Sequence, residues 1–198
     1  MHLDTYEWRD VAQTTATGHT TTTWLLLIYT IPAEPSRMRA FVWRELKKIG
    51  AICIRDGVWA LPESKVTEMA FRRIARKVRG FDGEATLAEG ARLDSERFEA
   101  IRLAAQKART AEYEELAHEA EQFLKHMQHE SEHRNFNFAE LKELGQDLSK
   151  LRRWRAQVGT RDYFGAEGSG RIEELLGQCE DALTLFLDEV FNPEDGTQ

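Results

Sequence analysis

Ten cations crowd two short stretches of this chain, Arg37, Arg39, Arg44, Lys47 and Lys48 in one and Arg72, Arg73, Arg76, Lys77 and Arg79 in the other. Side chains of that kind at that density bind anions. A helix beginning at Pro35 to Arg37 would add its N-terminal donors and dipole, an arrangement suited to a tetrahedral oxyanion such as sulfate or phosphate. Positions 72, 76 and 79 share one helix face, which would follow a DNA backbone equally well, useful duplex affinity needing about six or more such contacts. The competing reading is a solvated, salt-bridged helix surface.

Histidines form the second candidate set. His126, His129 and His133 recur at i, i+3 and i+7, one helix face, and the His129/His133 spacing can chelate a divalent ion. Glu115 with His118, and Glu130 with His133, have the Glu-x-x-His form of di-iron bundles, but both fall on one expected helix whereas such a centre draws on facing helices. Their neighbours, Lys125, Gln128, Glu130, Ser131, Glu132 and Arg134, are solvent-like. An incidental exposed histidine face is therefore preferred, and neither a metal nor any other cofactor is assigned. A third group, Arg152, Arg153, Trp154, Arg155, Arg161, Asp162, Tyr163 and Phe164, reads as packing within a helical region, and Trp43 and Trp59 as core or interface packing. No catalytic residue is assigned. Nothing has the form of a catalytic triad or a phosphate-cradling loop, and GAEGSG from Gly165 lies between two helices rather than between strand and helix.

The elements that must position these residues follow from periodicity. Trp24 to Ile31 is an apolar run of eight, the length of a strand buried on both faces and too short for a bilayer. Pro32 stops it. Met38, Phe41, Val42, Leu46 and Ile49 then recur at helical spacing up to Gly50. Ala51 to Arg55 and Val58 to Leu61 flank Asp56-Gly57, a hairpin dipeptide expected to take positive φ angles. Ser64 to Arg79 is a second amphipathic helix with Val66, Met69, Ala70, Ile74 and Val78 on its apolar face, and Glu84 to Ala91 alternates as a fourth strand. The order βαββαβ is ferredoxin-like, an α+β class, with both helices on one face of an antiparallel sheet.

From Asp94 the pattern turns helical. Helices are expected from Asp94 to about Ala108, Ala111 to about Glu132, Phe138 to Val158 and Arg171 to Phe191, with a break at Asn135 to Asn137 and a loop from Gly165 to Gly170. Leu141, Leu144, Leu148, Leu151 and Trp154 make a stripe on the third, and Leu175, Leu176, Cys179, Leu183, Phe186 and Val190 one on the last. The expected organisation is a disordered lead over 1–23, a ferredoxin-like domain over 24–93, a helical bundle or hairpin domain over 94–192 and a tail over 193–198.

The net charge of −7 conceals an asymmetry: residues 34 to 79 hold 12 Lys and Arg against 5 Asp and Glu, a balance of +7, and residues 80 to 198 carry −12. A compact basic unit is the footprint of anion or phosphate-backbone contact; neutralisation by the acidic helices, within one molecule or across a dimer, is the plain alternative. No targeting signal is expected in the first 23 residues. Cys53 and Cys179 have no CxxC spacing, which suits a reducing cytoplasm.

WLLLIYTIP, PSRMRAFVWRELKKIGA and DGVWALP together resemble the N-terminal domain of the ChrB family of chromate-resistance regulators. AEYEELAHEAEQFL, LKELGQDLSKLRRWRAQVGTRDYFGA and QCEDALTLFLDEVF extend the resemblance over about residues 22 to 192. The strand, Arg-rich helix and GVW-type strand are more distantly similar to the central domain of the PaaX phenylacetate-degradation repressor and to small CRISPR-associated nucleases. Those nucleases place a metal-binding Asp at the end of the first strand; Thr30 stands there in this chain and is a poor ligand without carboxylate company. The family resemblance implies transcriptional control, a chromate response and a further C-terminal domain in full-length members. The expected partners are DNA, or chromate or another oxyanion, and a second copy of the chain, with no membrane contact. A dimeric interaction module that does not bind DNA is the alternative, and a degenerate nuclease the third.

Overall fold

The computed structural model describes residues 23–133 and 137–191, and the chain divides into two compact units, residues 1–102 and 103–198. The expected lead and tail lie outside the described residues except for Thr23, whose carbonyl accepts a hydrogen bond from the Glu63 N–H at 2.9 Å. Asn137, the last residue of the expected break, is described; 134–136 are not.

In the first unit β1 (Trp24–Thr30), α1 (Ser36–Lys48), β2 (Ile52–Arg55), β3 (Val58–Pro62), α2 (Lys65–Arg79) and β4 (Glu84–Ala91) precede the start of α3 (Ser95–Glu132). The strands form one sheet in the order β2-β3-β1-β4, every neighbouring pair antiparallel. That is the ferredoxin-like arrangement, with β1 and β3 central. Register sets Leu25 against Leu61 and Leu27 against Trp59. These four are buried together with Val42 and Leu46 of α1 and Phe71, Ile74, Ala75 and Val78 of α2.

The other face of β1 differs from expectation. Trp24 is fully buried, its ring 6.0 Å from Phe98 in an edge-on pair, but Ile28 is exposed, so β1 is covered on both faces only at its start. The apolar face of α2 is also rotated from the expected one. Thr67, Phe71, Ile74, Ala75 and Val78 are buried, spaced i, i+4, i+7, i+8 and i+11, while Val66 and Met69 are exposed. A capping box in which Ser64 accepts from Thr67 N–H and the Thr67 hydroxyl accepts from Ser64 N–H starts α2. The Thr67 hydroxyl lies 2.8 Å from the Pro62 carbonyl, which fixes the helix to the end of β3.

At the β2–β3 hairpin only Gly57 takes positive φ, +74°; Asp56 does not, and the ladder shifts register between Cys53 and Arg55. A Cβ at Gly57 would stand 2.5 Å from the Tyr29 carbonyl oxygen. Gly83 is held as closely, its Cβ position 2.5 Å from the Thr30 oxygen. Both glycines let β1 be approached at its far end.

The second unit contains α3 from Leu103, α4 (Phe138–Gly159) and α5 (Ser169–Phe191). One uninterrupted α3 replaces the two helices expected over 94–132: no Gly or Pro occurs between Ser95 and Glu132, and Asp94 caps its start by accepting from Arg97 N–H at 2.8 Å. The expected loop at Gly165–Gly170 is shorter too, since Ser169 and Gly170 open α5. Tyr113, Leu116, Ala120, Phe123 and Met127 of α3 pack with Leu144, Leu148, Leu151 and Val158 of α4 and Ile172, Leu176, Cys179 and Phe186 of α5. This is a three-helix core. Burial pushes the Cys179 thiol up to about 11. Among the described residues no helix is long and apolar enough to cross a membrane.

Candidate functional site

Burial of Val42 and Leu46 fixes α1 against the sheet, so helical periodicity alone turns Arg37, Arg39, Arg44, Lys47 and Lys48 outward, and all five are exposed. Arg37, Arg44 and Lys48 are spaced i, i+7 and i+11 and make one ridge about 16 Å long, which covers the rise of roughly five nucleotides on one strand. None of Arg37, Arg39, Arg44 and Lys48 makes an ion pair with a described residue. The Lys47 ammonium sits 5.9 Å from the ring centroids of both Trp43 and Trp59, a cation–π geometry. Trp59 is buried, but Trp43 is 52% exposed and stands among the α1 cations rather than in the core. Pro35 precedes the first turn with no side-chain cap bond.

The five cations of α2 are used differently. Arg72 pairs with Glu68 at 2.5 Å and with Glu89 of β4 at 2.9 Å; the hydrogen bond and charge of Glu68 raise its pKa. Arg79 donates to the Ala85 carbonyl at 2.6 Å. Two of the three residues expected to share a DNA-facing row are therefore bound to β4, and of that row Arg76 makes neither an ion pair nor a side-chain hydrogen bond with a described residue. On the other flank Arg73 approaches Glu45 of α1 at 4.0 Å, and with Lys77, Phe41, Glu45 and Ile74 it lines a narrow cleft of about 30 Å³. Thr30 is exposed at the end of β1, opposite Glu84.

The histidines separate. His129 and His133 adjoin with ring centroids 4.1 Å apart and planes tilted by 42°, and His133 Nδ1 lies 2.8 Å from the His129 carbonyl oxygen. His126 instead meets Glu130 Oε1 at 3.4 Å and Glu140 Oε1 at 3.3 Å. Glu140 was invisible to sequence reasoning because it comes from the first turn of α4.

The third group is structural in its contacts. Arg152 pairs with Glu180, Arg155 with Glu173 at 2.7 Å, and Arg161 with Glu112 at 2.9 Å. Asp162 accepts from the Ala166 N–H at 3.0 Å and from the Tyr113 hydroxyl at 3.3 Å. Burial pushes the Tyr163 phenol up to about 12 against the opposing charges of Arg109 and Arg161.

A family model described as "Protein ChrB, N-terminal" matches residues 39–197. The chain belongs to the ChrB N-terminal family. The match begins inside α1, later than the expected residue 22, so β1 and Arg37 precede it, while the other nine cations, the three histidines and Glu140 lie within it. The chain is also similar to Protein ChrB of Cupriavidus metallidurans, 33% identical over 63 residues that make up 32% of this chain and 19% of that relative. The aligned part is thus under a fifth of the relative's length.

Proposed function

We propose that this ChrB N-terminal chain is a non-enzymatic, chromate-resistance type transcriptional regulator that meets the DNA phosphate backbone through the outer ridge of α1. The supporting observation is the set of exposed cations on α1, Arg37, Arg39, Arg44 and Lys48, with no carboxylate partner among the described residues. Such groups neutralise phosphates and release counterions without first breaking an ion pair. Exposed Trp43 adds an aromatic surface beside them, and Arg76 and Lys77 extend the charge onto α2. A role on DNA entails a cytoplasmic location. A homodimer would double the number of contacts, and Leu185 and Phe191, exposed on α5, are apolar surface available to a second copy.

A second reading is an oxyanion, chromate or a similar ion, at the start of α1, favoured by the absence of a side-chain cap there beside Arg37. Fluorescence anisotropy with labelled duplex at about 50 mM salt tests the first reading. Binding that weakens steeply as salt rises is expected. No association at low salt would contradict DNA contact, and chromate competition with a flat salt response would favour the oxyanion.

A further inference from the structure

We propose that His126, Glu130 and Glu140 form a binding site for a divalent first-row transition-metal ion, held between α3 and α4 of the second unit. Their ligand atoms all lie within 4.8 Å of one another, and His126 Nε2 is 3.4 Å from Glu130 Oε1 and 3.3 Å from Glu140 Oε1. An ion about 2.1 Å from each donor requires donor-to-donor edges of about 3.0 Å in octahedral and 3.4 Å in tetrahedral coordination. The two His126 edges already match the tetrahedral value, and closing the set requires only the Glu130–Glu140 edge, within 4.8 Å, to meet it.

Each ligand is placed by packing around it. His126 and Glu130 are one turn apart on α3, with Met127 between them buried in the bundle core. Glu140 is in the first turn of α4, where its own N–H donates to the Asn137 side chain at 2.9 Å. The two carboxylates come from different helices and are largely out of water, Glu130 12% and Glu140 19% exposed at the side chain. A cation there meets one oxygen of each carboxylate and the imidazole nitrogen. His126 also lines a groove of about 540 Å³ with Glu119, Gln122, Asp147 and Lys150.

One imidazole and two carboxylates make a borderline nitrogen–oxygen set. That suits Mn²⁺, Fe²⁺ or Zn²⁺ better than Ca²⁺ or Mg²⁺, which prefer all-oxygen shells, or Cu⁺, which prefers thiolates. The assignment does not depend on DNA contact by α1. Its rival is a protonated His126 bridging two carboxylates.

Isothermal titration and thermal unfolding of the full chain with ZnCl₂ and MnCl₂ separate the two. One ion per chain and a raised unfolding midpoint are expected. Glu140→Gln, which keeps the side-chain shape, should weaken binding by about a hundredfold, and His126→Gln should do the same, with the fold of both checked by circular dichroism. The double variant His129→Ala, His133→Ala should bind as the parent does. No heat and no thermal shift would overturn the site, as would parental affinity in both single variants. Loss of binding confined to the double variant would also overturn it, since the ion would then sit on the adjacent exposed pair.

Discussion

On α1 the side chains of Arg37, Arg39 and Arg44 stand in solvent without an ion pair to any described residue, whereas in the second unit Arg109 and Arg161 both reach Glu112 at 2.9 Å. Arg152 and Arg155 of α4 join glutamates of α5, and Arg171 of α5 joins Glu121 of α3 at 2.5 Å. The same residue type is free in one region and committed in the other. The difference lies in the carboxylates: the acidic helices of the second unit bring glutamates to their own arginines, while Glu45 is the lone acid on α1 and inclines toward Arg73. α2 falls between, since Glu68 and Glu89 take Arg72 and leave Arg76. A count of cations in a sequence therefore overstates the charge available to a partner.

The contrast is broken most severely at Glu112. Glu112→Ala leaves Arg109 and Arg161, 13% and 17% exposed at the side chain, without their shared carboxylate, and should lower stability by about 2 to 3 kcal/mol, the cost of a partly buried uncompensated charge. Urea unfolding reads this directly. A loss no larger than that of a surface substitution would show the pairs to be incidental.

The same region should reveal itself at high pH. With the Tyr163 phenol at about 12 in the folded chain and about 10 unfolded, its contribution is fully present below pH ~10 and is lost as pH rises toward ~12. Roughly 2 to 3 kcal/mol is at stake, at 1.36 kcal/mol per pKa unit. Burial also raises the Tyr29 and Tyr113 phenols, so tyrosinate absorbance should show several late-titrating phenols, and Tyr163→Phe should remove the latest of them. Smallest of all, Arg72→Ala removes only exposed pairs and should leave the thermal unfolding midpoint close to the parent's. A larger loss would mean that α2 depends on its link to β4.

Much of the frame was legible because it is local. Glu84–Ala91 alternates and forms β4 over those residues, and the α4 stripe buries Leu144, Leu148 and Leu151. The apolar face of α2 departs from expectation because Phe71, Ile74, Ala75 and Val78 set the buried side, which leaves Val66 about a third of a turn and Met69 about half a turn from its centre at 3.6 residues per turn. The break expected at Arg109 and Thr110 is absent because neither residue interrupts a helix, and Arg109 pairs with Glu112 at i, i+3 within α3. The candidate sites were harder. Cations are visible in a sequence, but whether Glu89 reaches Arg72 across 17 residues is decided by the sheet, and Glu140 joins His126 only when α4 folds beside α3.

The central claim is that the α1 cations, and not the committed Arg72 and Arg79 of α2, supply the free phosphate contacts. Duplex affinity as a function of salt should be compared for the parent chain, the triple variant Arg37→Ala, Arg44→Ala, Lys48→Ala and the double variant Arg72→Ala, Arg79→Ala. Loss of three phosphate contacts should reduce the slope of log affinity against log salt by about 2.7, with the double variant close to the parent. An unchanged slope in the triple variant, or an equal fall in the double, would contradict the account.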